Sequence, residues 1–127
     1  MEETNTDTSK KIHVLLIDDD EPLRRLFGGY LEKAGFEVIY ANDGERGREI
    51  ARRLQPDIVL LDLNMPVVDG YEVSARLKKE EPTKNIPIIF LTNTDMSAEA
   101  EKMLKETGVS DYIHKSIQED ELVERVK

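Results

Sequence analysis

The sequence predicts an α/β protein, a doubly wound, five-stranded parallel sheet flanked by five helices. Short apolar or β-branched runs recur at Ile12 to Ile17, Phe36 to Ala41, Ile58 to Leu61, Ile86 to Leu91 and Asp111 to His114. Each is followed by a stretch of helical character, and strands alternating with helices build right-handed crossovers that cover both faces of a parallel sheet. The runs are also nearly continuous in apolar residues, as strands buried on both sides must be.

The first helix has Asp20 as its cap, Pro22 in its first turn, Leu23, Phe27, Leu31 and Ala34 on one face, and Gly35 as its stop. The second, Glu45 to Leu54, carries a weaker signal: its apolar face is little more than Ile50, Ala51 and Leu54, and Gly47 interrupts it. A later helix, Gly70 to Glu80, offers Val73 and Leu77 before Pro82 ends it. Near the C-terminus Ser116 and Glu119 have capping-box spacing, and Leu122, Val123 and Val126 supply a buried face.

With 127 residues the chain fits one domain, expected over residues 12–127 behind a polar tail, residues 1–11. Eighteen basic against 27 acidic residues leave a net charge of −9, which argues against direct binding of nucleic acid or anionic membranes. A metal cation or a basic protein surface suits it better. No cysteine is present, so disulfides, thiolate zinc sites and thiol catalysis are excluded, and the expected compartment is the cytoplasm. The N-terminus lacks the apolar core of a signal peptide, and no run is long enough to cross a bilayer.

In open parallel sheets ligands bind beyond the carboxyl ends of the strands. Strand one leads into Asp18, Asp19 and Asp20, strand three into Asp62, strand four into Thr92 and strand five into Lys115. Carboxylates facing one another repel, and the remedies are a raised pKa or a divalent cation. Oxygen donors without His or Cys favour magnesium or manganese. Magnesium shares its shell readily with a phosphoryl oxygen, so Asp62 becomes a candidate nucleophile, with Lys115 and Thr92 on the remaining phosphoryl oxygens. Taken singly, these residues read as a helix cap, a turn acid, a surface lysine and a loop hydroxyl. Their joint placement at four strand ends points to phosphoryl chemistry.

The pieces VLLIDDDEPLRRL, PDIVLLDLNMPVVDGYEV, IPIIFLTN and DYIHK, in that order, resemble the receiver domain of two-component response regulators over about residues 12–127. The resemblance implies a flavodoxin-like sheet in the order 2-1-3-4-5. It implies Asp62 as phosphoacceptor, Asp19 as direct metal ligand, Asp18 as a second metal-site acid and the Asn64 backbone carbonyl as a further ligand. It further implies Thr92 as a switch hydroxyl, Lys115 as the ion-pair partner of the phosphoryl group and Tyr112 as an aromatic that follows the switch. It also places Asn64 and Thr94 where the family tunes dephosphorylation. Magnesium, or manganese, would be the cofactor. A histidine kinase or phosphotransfer protein would be the donor, and a downstream protein or an effector domain the target, read through the fourth helix, fifth strand and fifth helix. Such a chain catalyses only its own phosphorylation and dephosphorylation.

Two positions depart from the family pattern. Ser116 follows the lysine where proline in a cis peptide is usual, so the Lys115–Ser116 bond is expected either trans with a shifted lysine or cis under strain. Val67 stands where glycine is common. Among rivals, an aspartyl-phosphate phosphatase would want an acid in place of Asn64. A nucleotide switch would want a GxxxxGK[ST] loop, which is absent. A flavodoxin-like cofactor carrier would not need these acids and lysine. A receiver-like interaction module that works without phosphorylation is the alternative function.

Overall fold

The computed structural model describes residues 11–63, 70–92, 102, 106 and 109–127. The strands are β1 (His13–Ile17), β2 (Glu37–Ala41), β3 (Ile58–Asp62), β4 (Ile88–Thr92) and β5 (Asp111–His114). Four helices are bounded among the described residues: α1 (Glu21–Lys33), α2 (Gly44–Leu54), α3 (Gly70–Lys79) and α4 (Glu119–Val126). The sequence predicts five. The expected fourth falls between β4 and β5, where the described Lys102 and Glu106 are helical, so α4 is the fifth of the expected set.

The sheet order is β2-β1-β3-β4-β5, with every neighbouring pair parallel. This is the 2-1-3-4-5 arrangement. Alternation along the strands sends side chains to two separate cores. Leu15, Ile17, Val59, Leu61, Ile88 and Phe90 pack with Ala51 of α2 and with Val73 and Leu77 of α3. Val14, Leu16, Ile58, Leu60, Ile89 and Leu91 pack with Phe27 and Leu31 of α1 and with Leu122 and Val126 of α4. Helices therefore cover both faces, which accounts for the unbroken apolar runs of β1, β3 and β4.

Helix α1 starts as expected: the Asp20 side chain accepts a hydrogen bond from the Leu23 N–H at 3.2 Å. The helix ends at Ala34, which is exposed rather than on the buried face, and Gly35 follows at φ 101°. Strand β4 begins at Ile88, two residues later than expected, since Pro87 has no N–H for a ladder. Helix α4 corrects the capping-box expectation. Its N-cap is Gln118, without a side-chain cap bond, because the Ser116 hydroxyl is engaged with the His114 ring instead.

Candidate functional site

In a parallel sheet every strand delivers its carboxyl end to the same edge. Asp18 follows β1, Asp62 and Thr92 are the last residues of β3 and β4, and Lys115 follows β5. All three of Asp18, Asp62 and Thr92 are buried. Asp62 stays in the ladder, paired in register with Leu91, so the apolar strand fixes its backbone as rigidly as it fixes its neighbours.

Lys115 joins the cluster. Its ammonium lies 3.0 Å from Asp62 Oδ1 and 3.1 Å from Asp18 Oδ2. Asp18 Oδ1 accepts the Asp20 N–H at 2.9 Å, and the Asp18 carbonyl accepts from Arg24 Nη1 at 2.7 Å. Burial pushes the Asp18 carboxyl up from 3.8 to about 6; the Asp62 charge adds to this, while the Asp20 N–H and Lys115 pull the other way. For Lys115, burial opposes the charge, but Asp62 and Asp18 outweigh it and raise its pKa.

Oxygens of Asp18, Asp19 and Asp62 lie within 4.8 Å of one another. Asp18 Oδ2 is buried, and among the described residues the group that faces it is the Lys115 ammonium at 3.1 Å. A buried carboxylate oxygen with an open lone pair, beside an exposed acid and a second buried one, fits a hard divalent cation. The residues present thus suit magnesium. Asp20, third in the acidic run, is spent on capping α1.

A family model, the response regulator receiver domain, matches residues 14–127. The chain belongs to that family. The DNA-binding dual master transcriptional regulator RpaA of Synechocystis is 38% identical over 114 residues, covering 90% of this chain and 47% of that protein. The polar-differentiation response regulator DivK of Brucella ovis is 32% identical and matched over 92% of its own length. The chain therefore spans about half of the first relative and nearly all of the second. The chemotaxis protein CheY4 of Vibrio cholerae superposes with a TM-score of 0.86 at 28% identity, covering 91% of this chain and 96% of that one. Receiver domains hold magnesium at an acidic site of this kind, and among the described residues of this one no helix is long and apolar enough to cross a membrane.

In this receiver domain Tyr112 is half-buried and packs against the α2/α3 core, paired in register with Phe90, while Thr92 pairs with His114. Alternation thus carries Thr92 and Tyr112 to the same face of the sheet. The Lys115–Ser116 peptide is trans, as are all described peptide bonds, and the lysine still reaches both acids. Asn64, Val67 and Thr94 lie outside the described residues. Two contributors were not legible as site residues. Arg24 looked like any exposed helix arginine. Gly70 reads in the sequence as the start of a helix, yet a Cβ there would strike the Asp62 carbonyl oxygen and come within 2.8 Å of Leu63 Cα.

Proposed function

We propose that this receiver domain, residues 12–127 behind the tail 1–11, is a cytoplasmic phosphoacceptor switch whose acceptor is Asp62. The carrying observation is the Lys115 ammonium placed between Asp62 and Asp18, with the Asp18, Asp19 and Asp62 oxygens gathered around one point. An Asp62 oxygen attacks the phosphorus of a phosphohistidine on a histidine kinase or phosphotransfer protein. The P–O bond forms as the P–N bond breaks, and the leaving nitrogen keeps the electron pair and takes a proton from solvent.

Asp18, Asp19, Asp62 and the Asn64 carbonyl would hold magnesium, or manganese, which supplies charge neutralisation between carboxylate and phosphoryl group. Lys115 stabilises a phosphoryl oxygen by charge and the Thr92 hydroxyl another by hydrogen bond. Drawing Thr92 inward alters its strand partner β5 and the Tyr112 position, and so biases the surface around the helix carrying Lys102 and Glu106, β5 and α4 that a downstream protein or effector domain reads. The chain catalyses its own phosphorylation and dephosphorylation and no other turnover.

Intact-mass measurement after incubation with magnesium and acetyl phosphate tests this. One phosphoryl adduct is expected, absent without magnesium and absent in Asp62→Ala. An unmodified wild-type chain would instead favour an interaction module that works without phosphorylation.

A further inference from the structure

The turn after β5 holds itself closed by an unusual route. His114 is the last residue of the strand, and its carbonyl accepts the Ile117 N–H at 3.0 Å, making residues 114–117 a β-turn with Lys115 and Ser116 at its centre. The His114 ring Nδ1 accepts the Ser116 backbone N–H at 3.1 Å and lies 2.8 Å from the Ser116 hydroxyl. Accepting a backbone N–H uses the Nδ1 lone pair, which the Nε2–H tautomer leaves open, and the serine hydroxyl lies within reach of the same atom. One ring nitrogen thus gathers both polar hydrogens of the residue that follows Lys115.

The strand side is equally fixed. The Lys115 N–H donates to the Thr92 carbonyl at 2.8 Å. Upstream, Arg125 of α4 donates to Asp111 Oδ2 at 2.7 and 2.9 Å and to the Tyr112 carbonyl at 2.6 Å. Among the described residues the peptide on the far side of Lys115 has the His114 ring to hold its N–H, and Ser116 itself is exposed.

We propose that His114 is a positioning residue for Lys115: by accepting from Ser116 it locks the turn and aims the lysine at Asp62 and Asp18. The inference rests on the phosphoacceptor reading of Asp62, and it makes the His114–Ser116 pair the element that sets how fast phosphate is accepted. The mechanism is that of an Asx-turn, in which a side-chain acceptor captures the N–H two residues on. Asparagine, whose Oδ1 makes that bond natively, should therefore replace the histidine, whereas alanine should not.

The test measures initial rates of phosphoryl incorporation from acetyl phosphate by intact mass, with magnesium affinity from the magnesium-induced rise in thermal midpoint. His114→Ala is expected to slow phosphorylation about fivefold, the loss of one hydrogen bond's worth of ordering. Magnesium affinity should stay equal or tighten, because a loosened lysine competes less for the acids. A general collapse of the site would weaken both. His114→Asn should recover the rate to within about twofold, and Ser116→Ala, which keeps the N–H, should lose less than His114→Ala. The double variant His114→Ala/Ser116→Ala should be no slower than His114→Ala alone, since both act through one contact.

A wild-type rate in His114→Ala, failure of asparagine to rescue, or additive losses in the double variant overturns the proposal. Should His114→Ala not fold, His114→Asn decides: a rate well below the wild type's overturns it. A wild-type chain that takes up no phosphate removes the phosphoacceptor reading itself, an outcome distinct from all of these.

Discussion

Asp18 carries a costly charge. Its carboxyl is buried next to Asp62, and its pKa is raised from 3.8 to about 6, with desolvation the main cause. A folded state that binds a proton more tightly than the unfolded chain is favoured where that proton is present. The contribution is full below the unfolded value and is lost as pH rises through about 6. In the metal-free protein the stability of wild type relative to Asp18→Asn should fall by about 1–3 kcal/mol between about pH 4 and about pH 7.5, measured by urea unfolding. A gap that does not change with pH would mean that Asp18 is adequately solvated or paired when ionised. The position of Asp18 was legible in the sequence as a strand-end acid. Its burial beside Asp62 was not, because that depends on how closely the ends of neighbouring strands come together.

At the scale of elements, α2 shows what pattern reading overlooks. Counting apolar side chains made it weak, and of the three residues on its expected face only Ala51 is buried; Leu54 is exposed. The helix relies on close backbone approach as well as on Ile50 and Ala51. A Cβ on Gly47 would strike Ile17 Cδ1 and lie 2.7 Å from Ile17 Cγ1, so the missing side chain is itself the contact with β1. Gly47→Ala should destabilise the domain by about 1–3 kcal/mol by overpacking, despite alanine's better helix propensity. Adding Ile17→Val removes the nearest atom and should recover part of the loss in the same thermal or urea measurement. If Gly47→Ala is neutral or stabilising, the α2–β1 spacing is not tight. Ser116 illustrates the converse error. Capping-box spacing identifies a donor and acceptor set in sequence, but the hydroxyl found a nearer acceptor in His114, and α4 begins later with Glu119, Asp120 and Glu121 favourably placed against its N-terminal dipole.

For the whole molecule, the acidic edge was readable before the sheet order was. Every strand of a parallel sheet ends on the same side whatever its neighbours, so Asp18, Asp62, Thr92 and Lys115 had to share an edge. The order that puts β1 beside β3 and β4 beside β5 follows from crossovers and packing, and only the family resemblance supplied it. The same distinction between diffuse and local placement applies to charge. A net charge of −9 repels itself, so any salt should relieve part of the repulsion, while exposed pairs such as Arg76–Glu72 at 2.7 Å lose little when screened. The cluster of Asp18, Asp19 and Asp62 should respond to magnesium in a way sodium cannot match. At equal ionic strength, magnesium at about a hundred times its dissociation constant should add roughly 3 kcal/mol of stability near neutral pH. Asp19→Asn, at an exposed position, should abolish that increment and leave the sodium response intact. Equal midpoints in sodium and magnesium at matched ionic strength, or an undiminished magnesium effect in Asp19→Asn, would reduce the acidic edge to one patch of a generally negative surface.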